Sequence, residues 1–182
     1  MAESLQGEFI KIMKKVLTTI ICLTISISFS QKNVIKASGI IGNLGIQYER
    51  SLTPHFSVAG QVGYSMARVF INDDDFLSTG LGYYVEGRYY FSKEYALMEG
   101  WHIGPYYNSI NTKSKELNNA KTTINSLGLT AGYQWHTDSG YAIGLIFGGG
   151  SFDFKSDIPN AEGFLDFLKF MPHLGLTLGY NF

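Results

Sequence analysis

Glu86 and Arg88 stand two residues apart in a stretch, 81–91, whose odd positions (Leu81, Tyr83, Val85, Tyr89, Phe91) are apolar and whose even positions include Tyr84 and Tyr90. In an extended strand, residues two apart share a face. The acid and the base therefore point the same way, and Glu49 has the phase to meet them across an enclosed interior, with Gln61, Gln134 and Tyr90 at similar phase. Such a group does one of two things. It forms a selectivity constriction or proton path in a water-filled lumen, or it pairs off as a plug that satisfies its own buried charges. An eight-stranded interior is just filled by side chains, so the plug is the expected reading and a narrow small-solute channel the alternative.

Other residues suggest other chemistry. A lipid-modifying enzyme, the third reading, would need a nucleophile, a base and an orienting acid. Of the four histidines, His55 and His136 fall at short turns and His102 inward on a strand, so only His173 is placed to meet Ser151 and Asp153 at one strand end. No catalytic site is expected. Asp73-Asp74-Asp75 could bridge a divalent cation to lipopolysaccharide phosphates, but it lacks the spaced oxygen ligands and glycine of a calcium loop and is read as a solvated loop tip. No metal or cofactor is expected. Phe164, Phe167 and Phe170 belong to an apolar segment, 163–172. There Phe164, Phe167, Leu168 and Met171 match amphipathic-helix spacing, although Phe164 and Phe170 also suit a strand extension. These phenylalanines either fold over the barrel mouth or touch outer-leaflet lipid or, in the sharper reading, form an outer-loop patch for an extracellular partner.

The elements that must position these residues are strands. The last ten residues, 173–182, place Leu174, Leu176, Leu178, Tyr180 and Phe182 on one face and His173, Gly175, Thr177, Gly179 and Asn181 on the other. That is a strand with period two, and its two terminal aromatics suit a membrane interface better than a soluble terminus, which usually frays. The same alternation runs through 56–67, 81–91, 101–108, 127–135 and 141–147. Residues 33–50 hold either two short strands joined at Gly42-Asn43 or one long one. Connections alternate between short (50–54, 92–97, 136–140) and long (69–78, 111–122, 151–172), as in barrels with short periplasmic turns and long outer loops. Tyr48, Phe56, Tyr89, Phe91, Trp101, Tyr133, Trp135, Tyr141, Tyr180 and Phe182 share the outward phase next to the short turns. They read as one interfacial girdle.

An export signal completes the pattern. Met13-Lys14-Lys15 precedes the uncharged run 16–29, and Ser28-Phe29-Ser30 is a small-x-small cleavage site. Residues 1–12 are expected to be an upstream extension, 13–30 a cleaved signal peptide and 31–182 the barrel domain. The sole cysteine, Cys22, lies within the signal, which leaves no thiol for a disulfide or a metal in 31–182. The 14 Lys+Arg against 15 Asp+Glu, with no basic run, exclude nucleic acid as an expected partner. About 150 residues hold roughly eight strands of ~10 residues. The expected fold is all-β, an eight-stranded antiparallel transmembrane β-barrel in the cell outer membrane.

The chain resembles the small eight-stranded bacterial outer-membrane barrels of the OmpX and OmpA membrane-domain type, and more closely barrels of flavobacteria and relatives. In the latter a Gly-Asn-Leu-x-x-x-Tyr-Glu-Arg stretch precedes a short turn, matched here by Gly42-Asn43-Leu44 and Tyr48-Glu49-Arg50. The closing strand carries the second match, with Phe182 terminal and an aromatic, Tyr180, two residues earlier. The resemblance implies that Tyr180 and Phe182 are read by the outer-membrane assembly machinery. It also implies contact with membrane lipid and lipopolysaccharide, and a structural or surface-interaction role in the envelope. Fold analogy reaches no further toward function.

Overall fold

In the computed structural model, the structure describes residues 33–71, 74–91, 98–115, 118–157, 162–163 and 170–182. The proposed extension and signal peptide, 1–30, lie outside these residues. Nine strands follow in order: β1 (Asn33–Ile40), β2 (Asn43–Ser51), β3 (Phe56–Ile71), β4 (Asp74–Tyr90), β5 (Gly100–Ser114), β6 (Ala120–His136), β7 (Tyr141–Ser156), β8 (Glu162–Gly163) and β9 (Met171–Asn181). Each barrel strand pairs antiparallel with the next, β9 pairs with both β7 and β1, and β2 pairs with β3. The sheet is a closed eight-stranded barrel. Two-residue β8 is no stave of it; it pairs with the end of β3 through Val69 and Phe70. Among the described residues there is no helix.

Closure fixes which phase of each strand faces the interior, and the polarity is inverted relative to a soluble domain. Lys36, Gln47, Glu49, Glu86, Arg88 and Gln134 are buried, while Leu44, Leu81, Leu127, Leu129, Leu176 and Leu178 are exposed. The aromatics expected to form a girdle do gather at the short-turn end. Their rings touch in series: Phe56 and Tyr89 at 5.0 Å, Tyr89 and Phe91 at 5.3 Å, Trp101 and Tyr133 at 5.2 Å, Tyr133 and Trp135 at 4.5 Å, and Tyr141 and Tyr180 at 5.8 Å.

The staves differ in height. β1 and β2 have 8 and 9 residues, whereas β3 to β7 have 15 to 17. Residues 33–50 thus form two short strands, with the turn at Ile41-Gly42, one residue earlier than Gly42-Asn43. Gly42 supports it with a φ of 76°, a left-handed conformation that costs a residue with a Cβ. The Gly42 carbonyl accepts from the Met66 amide at 3.0 Å, so β3 continues from Met66 to Ile71 with no β2 beside it. That is about 17 Å of strand at ~3.4 Å per residue.

The long connections expected at 69–78, 111–122 and 151–172 each begin and end as strand instead. The ladders run on to Ile71 and Asp74, to Ser114 and Ala120, and to Lys155 and Ser156. The outward residues there (Asn111, Lys113, Thr123, Asp153, Lys155) are polar, so the lipid-facing alternation ends while the backbone pairing does not. Asp74 and Asp75 accordingly pair with Ile71 and Phe70 within β4 and are not loop tip; Asp73 lies outside the described residues. The two-residue turn at Ile41-Gly42, at the far end, also breaks the expected rule of long connections there.

Candidate functional site

The lumen is built in tiers. At the short-turn end, Val34, Tyr90, Met98 and Ala142 form a buried apolar floor. Met98 holds a left-handed φ of 62°, and its carbonyl accepts from Gln134 Nε2 at 2.8 Å.

Above the floor lies the charged tier. Arg88 Nε donates to Glu86 Oε2 at 2.7 Å, with Nη2 2.6 Å from the same oxygen, and Arg88 Nη1 donates to Glu49 Oε2 at 2.8 Å. Lys36 Nζ donates to Glu49 Oε2, and to Gln134 Oε1 at 2.5 Å. The remaining carboxylate lone pairs are taken by hydroxyls. Ser57 and Tyr90 donate to Glu49 Oε1 at 2.5 and 2.8 Å; Tyr84 donates to Glu86 Oε2 at 2.8 Å and Thr130 to Glu86 Oε1 at 2.6 Å. Two cations and two carboxylates from three strands, β1, β2 and β4, thus form one neutral cluster across the lumen. Every charged member is at most 2% exposed.

A glycine and a proline bring β5 close to this tier. Pro105 has no amide to give the ladder, and a Cβ on Gly104 would collide with the Gly87 carbonyl. The Gly104 carbonyl accepts from Thr130 Oγ1 at 3.1 Å. His102 faces inward, its Nδ1 3.8 Å from Glu86 Oε1. The third tier is aromatic: the His173 ring packs near-parallel to both Tyr84 (5.0 Å, 12°) and Tyr106 (4.3 Å, 27°), which touch each other at 5.9 Å beside Ile40.

The structure therefore brings Glu49, Glu86 and Arg88 together. Sequence reasoning missed Lys36, the second cation, because 33–41 is apolar on both phases (Val34, Ile35, Ile40, Ile41) and gives no clean alternation. Its only available signal is that it is the single charge in that stretch. The histidine, serine and acid considered for catalysis do not meet. His173 points inward and is 1% exposed, while Ser151 is exposed and the exposed Asp153 pairs with Lys155 at 2.9 Å. That hydrogen bond, and the charge behind it, raise the Lys155 pKa. His55, expected at a short turn, lies there, its Nδ1 3.2 Å from the Tyr90 carbonyl. Among the described residues no His, Cys, Asp and Glu cluster could hold a metal ion.

Phe164 and Phe167 lie outside the described residues. Phe170 is exposed, its ring over Gly149 on the outer face of β7. Tyr180 and Phe182 are exposed on the outward phase of β9 and its end, and Phe182 exchanges backbone hydrogen bonds with Asn33 at 2.9 and 3.2 Å across the β9–β1 seam.

No curated protein matches the chain. Among solved structures, the chain is similar to one titled "Crystal Structure of Acinetobacter baumannii CarO", with 8% identity and a TM-score of 0.47 over 83% of this chain and 97% of that one. The family model described as "Protein of unknown function (DUF3575)" matches residues 14–161, most of the chain, and the protein belongs to that family.

Proposed function

We propose that the protein is an outer-membrane barrel with a plugged lumen that serves the cell envelope as a structural or surface-interaction protein. The carrying observation is the inverted polarity. Leucines and aromatics ring the outside of a closed sheet while lysine, arginine and two glutamates are sealed within it. Hydrocarbon tolerates a backbone only when every peptide group is paired, which a closed barrel achieves. Strand β2, with 9 residues, reaches the ~9–11 of one crossing, and β1, with 8, comes within a residue of it. The charged tier and the Met98 floor support the plug. Membrane lipid, lipopolysaccharide and the assembly machinery are the partners this reading implies, with an extracellular partner at the far-end connections. The opposed directions of His173 and Ser151 favour a protein without catalysis.

A small-solute channel is the second reading. It is favoured by buried polar atoms above the charged tier (Ser38 Oγ, Asn108 Nδ2 and Oδ1, His173 Nε2) that have no protein partner and call for water.

Epitope tags test the placement. A tag inserted at 116–119, between β5 and β6, should be reached by antibody on intact cells. One at 137–140 should be reached only after the outer membrane is breached. Recovery of the protein in a soluble fraction would overturn the reading.

A further inference from the structure

The low wall at β1 and β2 exposes a fourth tier. A pocket of about 320 Å³ opens above the Ile41-Gly42 turn, and Ile110 (β5), Ile124 (β6), Phe152 and Phe154 (β7) form its inner wall. This lies within the ~300–1,000 Å³ range of small-molecule sites and is about twice the ~150 Å³ apolar cavity that takes up benzene. Its mouth is the hairpin turn on one side and, on the other, Met66 and Ala67 of β3, which pair with β4 but lie beyond the end of the β2 ladder.

The neighbours of that mouth decide the occupant. Leu44 and Tyr64 pair across β2 and β3 on the outer face, and both are exposed at the upper edge of the apolar belt. The next outward residues are Met66 on β3 and Ile41 in the turn, both exposed and both lining the pocket. Apolar surface thus runs from the belt over the hairpin into the pocket, whose one charged lining residue is Arg68, the outward residue after Met66 on β3. A chain lying in the outer leaflet could slide along it without being hydrated, whereas a solute from the medium would first cross the polar outer ends of β5 to β7.

We propose that this pocket takes the aliphatic chain of a membrane amphiphile, which enters sideways over the β1–β2 hairpin. The proposal rests on the outer-membrane reading. The side chains supply dispersion and burial along the chain, and the stoichiometry is one chain per barrel.

The test is photolabelling of the full chain refolded in phosphatidylcholine vesicles doped with a phosphatidylcholine whose acyl chain ends in a diazirine, with labelled residues mapped by mass spectrometry. Leu129 and Leu176, on the belt, report insertion, and inward Thr177 sets the background. The expected result is labelling of Ile110, Ile124, Phe152 and Phe154 well above Thr177. Filling the mouth with Ala67→Trp should reduce it to that background while belt labelling stays. Ile124→Asn is the second variant, which makes the wall polar, and should do the same if Ala67→Trp does not fold. Absence of label from the belt would overturn the membrane reading itself. A labelled belt with an unlabelled pocket would overturn the pocket proposal alone. So would pocket labelling obtained only with a diazirine-tailed fatty acid added from water, or labelling unchanged in the variants.

Discussion

Arg88→Met removes one of two cations from a cluster in which Lys36, Glu49, Glu86 and Arg88 sum to zero charge. The two carboxylates do not suffer equally. Glu49 keeps Lys36 as well as Ser57 and Tyr90. Glu86 keeps only the Tyr84 and Thr130 hydroxyls, its next basic group being the His102 ring at 3.8 Å. Methionine fills part of the volume, so the cost is chiefly electrostatic, and breaking a buried pair from one side costs about 3–5 kcal/mol. With a urea slope of ~1–3 kcal/mol per molar, the unfolding midpoint in lipid vesicles should fall by at least ~1 M, read from tryptophan fluorescence or heat-modifiable migration on gels. Adding Glu86→Gln returns the cluster to neutrality, so the double variant should recover about 0.5–3 kcal/mol relative to the sum of the single variants. An unchanged midpoint for Arg88→Met, or strict additivity in the cycle, would refute the pairing and point to carboxylates bathed in lumen water.

Lys36→Met should destabilise less than Arg88→Met in the same assay, because Glu49 retains Arg88; a larger loss would place the cluster's centre at Lys36. Gly42→Ala should cost about 1–2 kcal/mol for the left-handed backbone, with its Cβ 3.1 Å from Ile110 Cδ1, and a neutral effect would mean that the short hairpin turn is drawn wrongly. Deleting Phe182, 67% exposed, should lower the yield of assembled barrel in cells while detergent refolding stays nearly intact; equal loss of both would make the residue structural. Replacing Phe164, Phe167 and Phe170 with Ser should abolish surface or partner binding without altering heat-modifiable migration, and failure to fold would remove the interaction role.

The staves that cross the apolar belt were legible in the sequence because lipid on one side and a crowded lumen on the other impose period two, as in 81–91 and 173–182. The upper ends of β3 to β7 were not, since polar residues on both faces, such as Asn111, Thr112 and Lys113, look like loop while still pairing. Phase alone placed Glu49, Glu86 and Arg88 on the inner face. Beyond Tyr90 it could not supply Lys36, nor the Ser57, Tyr84 and Thr130 hydroxyls that complete the cluster, because serine, threonine and tyrosine occur on both faces and only the register chooses among them. The pocket was hidden for a different reason: it arises from the unequal heights of neighbouring staves, which no single strand records.

The central claim is a sealed lumen in a membrane-spanning barrel, and single-channel recording of the refolded protein in planar bilayers tests it most directly. The account predicts a silent wild-type protein, with no stepwise current at any applied voltage the bilayer survives, because Arg88, Lys36 and their carboxylates cross the lumen above the Met98 floor. Steady ohmic steps from the wild-type barrel would contradict it and make the channel the better reading.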